Sequence, residues 1–339
     1  SRSGTDVLKP HPIVAVDRRG IGRSEALDCR DIYDRQEMLE QAQFQSGNDP
    51  VANLGAITMT ATTSCTDTIA PGDSAYDNAH AAEDLERLRS TWAIGAEAAS
   101  EQRINVQQAS LDAFAAQCIA TNCPLAPDPK GVVDSLLSDA RTGRGPAGAS
   151  VATLTDAIVT ALGFPRGDRI AATNDLAAAL AAARAGDATP INTLITQADS
   201  LRQTDGQFVN GCSDALNRPT PDRVRQLVVQ WGKLYPQFGV VGALDLVKCL
   251  NWPSGKAPED PKDLKTPVLL LGVQNDPIVG NEGTGTVAAT IINAGAPNRR
   301  VMWQGIGHGA SIYTSCALPP IMSYIESGKL PETDTYCPA

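Results

Sequence analysis

"TPVLLLGVQNDPIVG", residues 266–280, sets a near-continuous aliphatic run in front of an Asp-Pro step. A strand exposed on one face alternates apolar and polar residues. An unbroken run bounded by turn residues reads instead as a strand buried on both faces of a parallel sheet. Pro277 cannot extend a ladder, so the strand is expected to stop at Asp276 and leave its carboxylate in the loop. Open parallel sheets carry their working residues at that end of a strand. The competing reading gives Asp276 a structural task, capping the next helix or ordering its own turn.

Working outward, "EGTGTVAATIINAGA" (282–296) predicts a helix and "RRVMWQGIGHG" (299–309) a second, weaker strand. Strand, helix and strand in that order imply a βαβ unit with a right-handed crossover. Far upstream, "PIVAVDRRGIGRS" (12–24) is another apolar, β-branched run that ends in a glycine turn. After it, "SAYDNAHAAEDLERLRSTWAIG" (74–95) places Leu85, Leu88 and Trp92 at i, i+3 and i+7, with Ser74 or Asp77 positioned to cap. That spacing predicts an amphipathic helix.

Residues 96–250 differ in character. They are rich in alanine and helix formers, as in "LDAFAAQCIA", "TLTDAIVTALGF", "NDLAAALAAARAGDATP" and "DRVRQLVVQWGKLY", and hold no comparable strand. The expected architecture is therefore α/β, a mostly parallel sheet flanked by helices, with an inserted all-helical cap. Residues 1–95 and 251–339 would form the two parts of the sheet domain, and 96–250 the cap.

Composition narrows the function. Apolar residues are 42% and charged residues 19%, which is ordinary for a globular chain. The net charge of −10 opposes binding to nucleic acid, and aromatic residues at 4% do not interleave with basic ones. No transmembrane segment is expected, because no stretch approaches the roughly 20 apolar residues that cross a bilayer. The first ten residues do not read as a signal peptide, so any export signal is expected to have been removed.

Eight cysteines, Cys29, Cys65, Cys118, Cys123, Cys212, Cys249, Cys316 and Cys337, fall along the chain as four successive couples. The spacing forms no C-x-x-C zinc site, and no HExxH is present. The pattern favours four sequential disulfides and an oxidising compartment, secreted or in the cell envelope, although sequence alone does not settle connectivity. "GNEGTGTVAA" (280–289) misses a nucleotide-binding G-x-G-x-x-G because Ala288 stands where the last glycine is needed, and no Walker lysine follows. No cofactor and no metal are implied.

His308, in "GIGHGAS" (305–311), is one of three histidines in the chain. It follows the second strand, and Gly307 and Gly309 leave its ring room to turn. A lone loop histidine is usually just a surface residue. A carboxylate after one strand and a histidine after the next, in that order, are however the last two members of the α/β-hydrolase triad.

With those residues in hand, the chain resembles the secreted actinobacterial (mycobacterial or streptomycete) tripeptidyl aminopeptidase-like α/β-hydrolases, serine peptidases related to proline iminopeptidase. The resemblance rests on "VDRRGIGRS" (16–24), "TPVLLLGVQNDPIVG", "GIGHG", the closing couple Cys316 and Cys337, the "LVKCLNWPSG" (246–255) exit from the helical region, and the Tyr76 to Trp92 helix. It implies Asp276 as triad acid, His308 as base, the cysteine couples as family disulfides, and Asp17, Arg18 and Gly20 as part of a structural strand-loop element. It also implies a peptide or protein substrate, shortened from its amino terminus by short peptides.

The nucleophile has no counterpart. No G-x-S-x-G elbow occurs anywhere in the 339 residues, and Ser24, Ser90 and Ser311 lack an elbow. Family order puts it between Gly95 and Ala96, where its strands and helix would take roughly 40 to 50 residues. A sheet without them loses its centre, so the expectation is a longer protein that carries the serine in that segment. The alternatives are a non-catalytic binding protein of the same fold and an esterase or lipase acting on small acyl substrates.

Overall fold

The computed structural model describes residues 19–22, 24–77, 96–165, 169–202, 204–253 and 261–339. The strand expected at 12–18 and residues 78–95 of the helix expected over 74–95 lie outside the described residues. Asp73–Tyr76, just before that helix, form a short 3-10 turn.

Helix starts follow cap chemistry written in the sequence. Helices α1 (Ile32–Leu39) and α2 (Pro50–Ile69) begin after Asp31 and Asp49, whose carboxylates accept backbone N–H groups of the first turn. Helix α3 is Ala96–Ala120, and α4 (Pro129–Arg141) repeats the Asp-Pro start with Asp128 as cap. Helix α5 (Val151–Gly163) is capped by Ser150. Helices α6 (Arg169–Arg184) and α7 (Thr189–Arg202) come next, then α8 (Asp205–Asp214), where Thr204 and Gln207 form a reciprocal capping box. Helix α9 (Pro221–Leu234) starts from Thr220 and leads into α10 (Gly239–Asp245). Each cap satisfies first-turn donors that no helical carbonyl reaches, and proline at the first position loses only a donor that would be idle there.

These ten helices share one apolar core around fully buried Trp231, Phe114, Phe238, Leu54 and Ile104. Burying side chains of this size contributes about 1.5–3 kcal/mol each. Met38 of α1 and Val51, Leu54 and Ala61 of α2 belong to it, so the helices before residue 95 pack with those of 96–250. A buried ion-pair hub ties the N-terminal segment down. Asp205, at the start of α8, accepts the N–H groups of Cys29 and Arg30, the Arg30 guanidinium at 2.7 Å and the Arg35 guanidinium at 2.8 Å.

The rest is the expected βαβ unit. Strand β1 (Val268–Asn275), helix α11 (Gly283–Asn293) and strand β2 (Asn298–Ile306) lead through short helices α12 (Ala310–Tyr313) and α13 (Leu318–Ser327) to β3 (Thr335–Cys337). The order is β1-β2-β3, parallel throughout, with Val268 opposite Asn298 and Val301 opposite Thr335. A second core of Val273, Val301, Trp303, Ala317 and Ile321 lies beside the sheet. Trp303 stacks on Tyr313 with ring centres 5.4 Å apart.

Among the described residues β1 has a neighbouring strand on one side only. Its aliphatic run, suited to burial on both faces, is incompletely covered, and Leu271 is 46% exposed. No helix among the described residues is long and apolar enough to cross a membrane.

Candidate active site

Asp276 stands immediately beyond β1 and is 4% exposed. A buried carboxylate must have its lone pairs engaged to remain ionised. Its Oδ1 accepts the N–H groups of Ile278 at 2.9 Å and Val279 at 3.2 Å. The structural role weighed for Asp276 is thus real: it orders its own turn. Oδ2 is left for a second task, and it lies 2.9 Å from Nδ1 of His308.

The end of β2 delivers the histidine. Between Val273 and Asn275 of β1 the register shifts, because those two steps face three on β2, from Trp303 to Ile306. Bulges of this kind bend a strand and re-aim the side chains that follow. Gly307 and Gly309 then take φ of +147° and +100°, conformations that side-chain-bearing residues resist. They turn His308 back over the sheet end, and the Gly307 N–H reaches the Asn275 carbonyl at 3.3 Å.

Because an ionised carboxylate only accepts, Nδ1 donates the shared proton, and the neutral ring keeps Nε2 unprotonated. Nε2 has no hydrogen-bond partner among the described residues, and the side chain is 36% exposed. The hydrogen bond to Asp276 pushes the His308 pKa above its ordinary value, and burial opposes the rise. That arrangement fixes the tautomer and favours the imidazolium a general base becomes.

One wall of the site comes from the helical region. The His308 N–H donates to the carbonyl of Gly163, the last residue of α5, at 2.6 Å. Phe164 sets its ring edge-on to the imidazole, centres 5.6 Å apart. A Cβ on Gly163 would come within 2.6 Å of the Ile278 side chain, so any larger residue at that helix end would have to displace that side chain of the Asp276 loop. Sequence reasoning passed over Gly163 and Phe164. The stretch "TLTDAIVTALGF" (153–164) reads as helix, and nothing in it marks Gly163 or Phe164 as neighbours of the histidine.

Residues 235–337 match a family model, described as TAP-like protein, of the α/β-hydrolases. The matched segment starts as α9 ends and contains Asp276, His308 and all three described strands. It also takes in the Cys316–Cys337 disulfide. No curated protein matches the chain.

The other cysteines pair as Cys29–Cys65, Cys118–Cys123 and Cys212–Cys249, the sequential arrangement that the spacing favoured. Four disulfides are consistent with an extracytoplasmic protein. Of the strand-loop element, Gly20 is described, in a turn with φ of +76°, and Asp17 and Arg18 lie outside the described residues. The described side-chain partners of His308 are the Asp276 carboxylate and the Phe164 ring.

Proposed function

We propose that the protein is a secreted serine hydrolase in which His308 is the general base and Asp276 the acid that orients it. The observation that carries this reading is the 2.9 Å hydrogen bond between His308 Nδ1 and Asp276 Oδ2, made between loops that follow successive parallel strands. The similarity of residues 235–337 to TAP-like α/β-hydrolases supports it.

In the reaction, Nε2 of His308 takes the proton of a serine hydroxyl as its oxygen attacks the scissile carbonyl, and returns it to the leaving amine. Asp276 stabilises the imidazolium between those transfers. Backbone N–H groups near the serine would stabilise the oxyanion. The serine belongs to a strand-elbow-helix segment that these 339 residues do not contain and that family order puts between Gly95 and Ala96. The edge of β1 that is unpaired among the described residues and the exposure of Leu271 support a sheet with further strands.

The substrate class we infer is a peptide or protein amino terminus from which short peptides are released. Residues 96–250 act as the cap over the sheet of 251–339; helices α1 and α2, expected with the sheet domain of 1–95 and 251–339, share the apolar core of the cap instead. The test is hydrolysis of a fluorogenic tripeptide anilide beside a p-nitrophenyl ester. Tripeptide release that collapses in His308→Ala supports the peptidase. Ester cleavage alone would move the activity to small acyl substrates.

The missing G-x-S-x-G favours a second reading, a non-catalytic protein of this fold that binds peptides. It predicts that neither substrate is cleaved, with or without His308.

A further inference from the structure

A cavity of about 400 Å³ lies within the helical region, bordered by α3, α8 and the segment around Cys249. We propose that it is a binding site for the terminal carboxylate of a short peptide, held by Arg103 of α3 and Lys248. The choice of a peptide as carrier rests on the peptidase reading; the carboxylate rests on the two cations.

Arg103 and Lys248 converge on one carboxylate, that of Asp245. Lys248 Nζ lies 2.9 Å from Oδ1, and an Arg103 guanidinium nitrogen lies 3.4 Å from Oδ2. Three other arginine–carboxylate pairs close more tightly. Arg223 meets Glu97 at 2.6 Å, Arg225 meets Asp49 at 2.6 Å, and Arg300 meets Asp334 at 2.7 Å. Those are ordinary lengths for a charged hydrogen bond, and 3.4 Å is beyond them. The second contact of Arg103, to Ser100 Oγ, is 3.5 Å long. A guanidinium carries five N–H donors in a rigid fork, and Arg103 commits none of them at full strength. Two cations thus share one acid beside an open volume, in a chain of net charge −10.

A planar, singly charged carboxylate matches that fork. A phosphate dianion would meet stronger repulsion from Asp245 and from Asp156 and Asp214, which also border the cavity. The volume is at the scale of small-ligand pockets, so a few residues fit and a folded chain does not.

The cavity is also near the dyad. Arg103 precedes Val106 on α3 by about one turn, and Val106 lies 3.0 Å from where a Cβ on Gly280, in the loop after Asp276, would sit. Asp156 precedes Gly163 on α5 by about two turns, roughly 10 Å along the axis. A peptide a few residues long could span from one to the other.

The experiment is calorimetric titration of the natural protein with N-acetyl-trialanine, its C-terminal amide and inorganic phosphate. Tighter binding of the free acid than of the amide by tenfold or more is expected. The preference should vanish in Arg103→Gln and persist, weakened, in Arg103→Lys, with unchanged circular dichroism. Equal binding of acid and amide, no binding of either, tighter binding of phosphate, or a preference that survives both Arg103→Gln and Lys248→Gln would overturn the proposal. The readout is binding alone. A protein that keeps the free-acid preference yet cleaves no peptide leaves the site standing and removes the peptidase reading.

Discussion

The backbone N–H of His308 donates to the carbonyl of Gly163 at 2.6 Å, joining the loop after β2 to the C-terminal end of a helix in the other core. The same glycine lies against the Ile278 side chain, which a Cβ there would displace, so one residue touches both loops of the dyad. The position of the imidazole therefore depends on how the helical region is docked.

That dependence is testable at Gly163. Replacement by alanine forces a Cβ against Ile278 and should destabilise the protein by about 1–3 kcal/mol, the usual cost of overpacking. Activity should fall further than stability alone explains, because the carbonyl that holds His308 shifts. Thermal melts beside kcat separate the two effects; equal stability and equal kcat would show the contact to be incidental.

Asp276→Asn tests the acid. The amide keeps the shape but cannot favour the useful tautomer or the imidazolium, and the loss of kcat should be on the order of 10⁴-fold. Its folded structure, read by circular dichroism, should persist.

The titration of His308 carries its own sign. A histidine whose folded pKa is raised gives stability that is fully present below its unfolded pKa, near 6.5, and lost as pH rises through the folded value. Proton NMR of the ring should show the raised pKa in the natural protein and a fall in Asp276→Asn. As pH rises above about 6.5, stability should then decline less steeply in that variant.

At Asp205 the sign is opposite. Burial pushes its pKa up, but hydrogen bonds from Arg30, Arg35 and Cys29 outweigh it and leave the pKa below the ordinary value. Its stabilisation is present above the unfolded pKa and lost as pH falls through the folded one. Asp205→Asn strands the buried Arg30 and should cost about 3–5 kcal/mol at neutral pH, measured by urea unfolding.

The βαβ unit was legible because its pattern is local. An aliphatic run, a proline stop and glycines around a histidine announce β1 and β2, and single out Asp276 and His308 as candidates, without reference to the rest of the chain. Helix α2 was not legible, since its many threonines weaken propensity. In the structure Thr60, Thr63 and Thr68 return their hydroxyls to carbonyls one turn earlier, which lets them sit in a helix. Strand β3, three residues long, gives no periodic signal at all. Gly163 and Phe164 were invisible as site residues because only the docking of two cores brings them to His308.

The most direct measurement of the central claim is labelling by a fluorophosphonate, followed by peptide mapping, in the natural protein and in His308→Ala. The account predicts a single labelled serine and a labelling rate that falls by at least about 10³-fold without His308. A protein that takes no label, or one whose labelling is indifferent to His308, would contradict it.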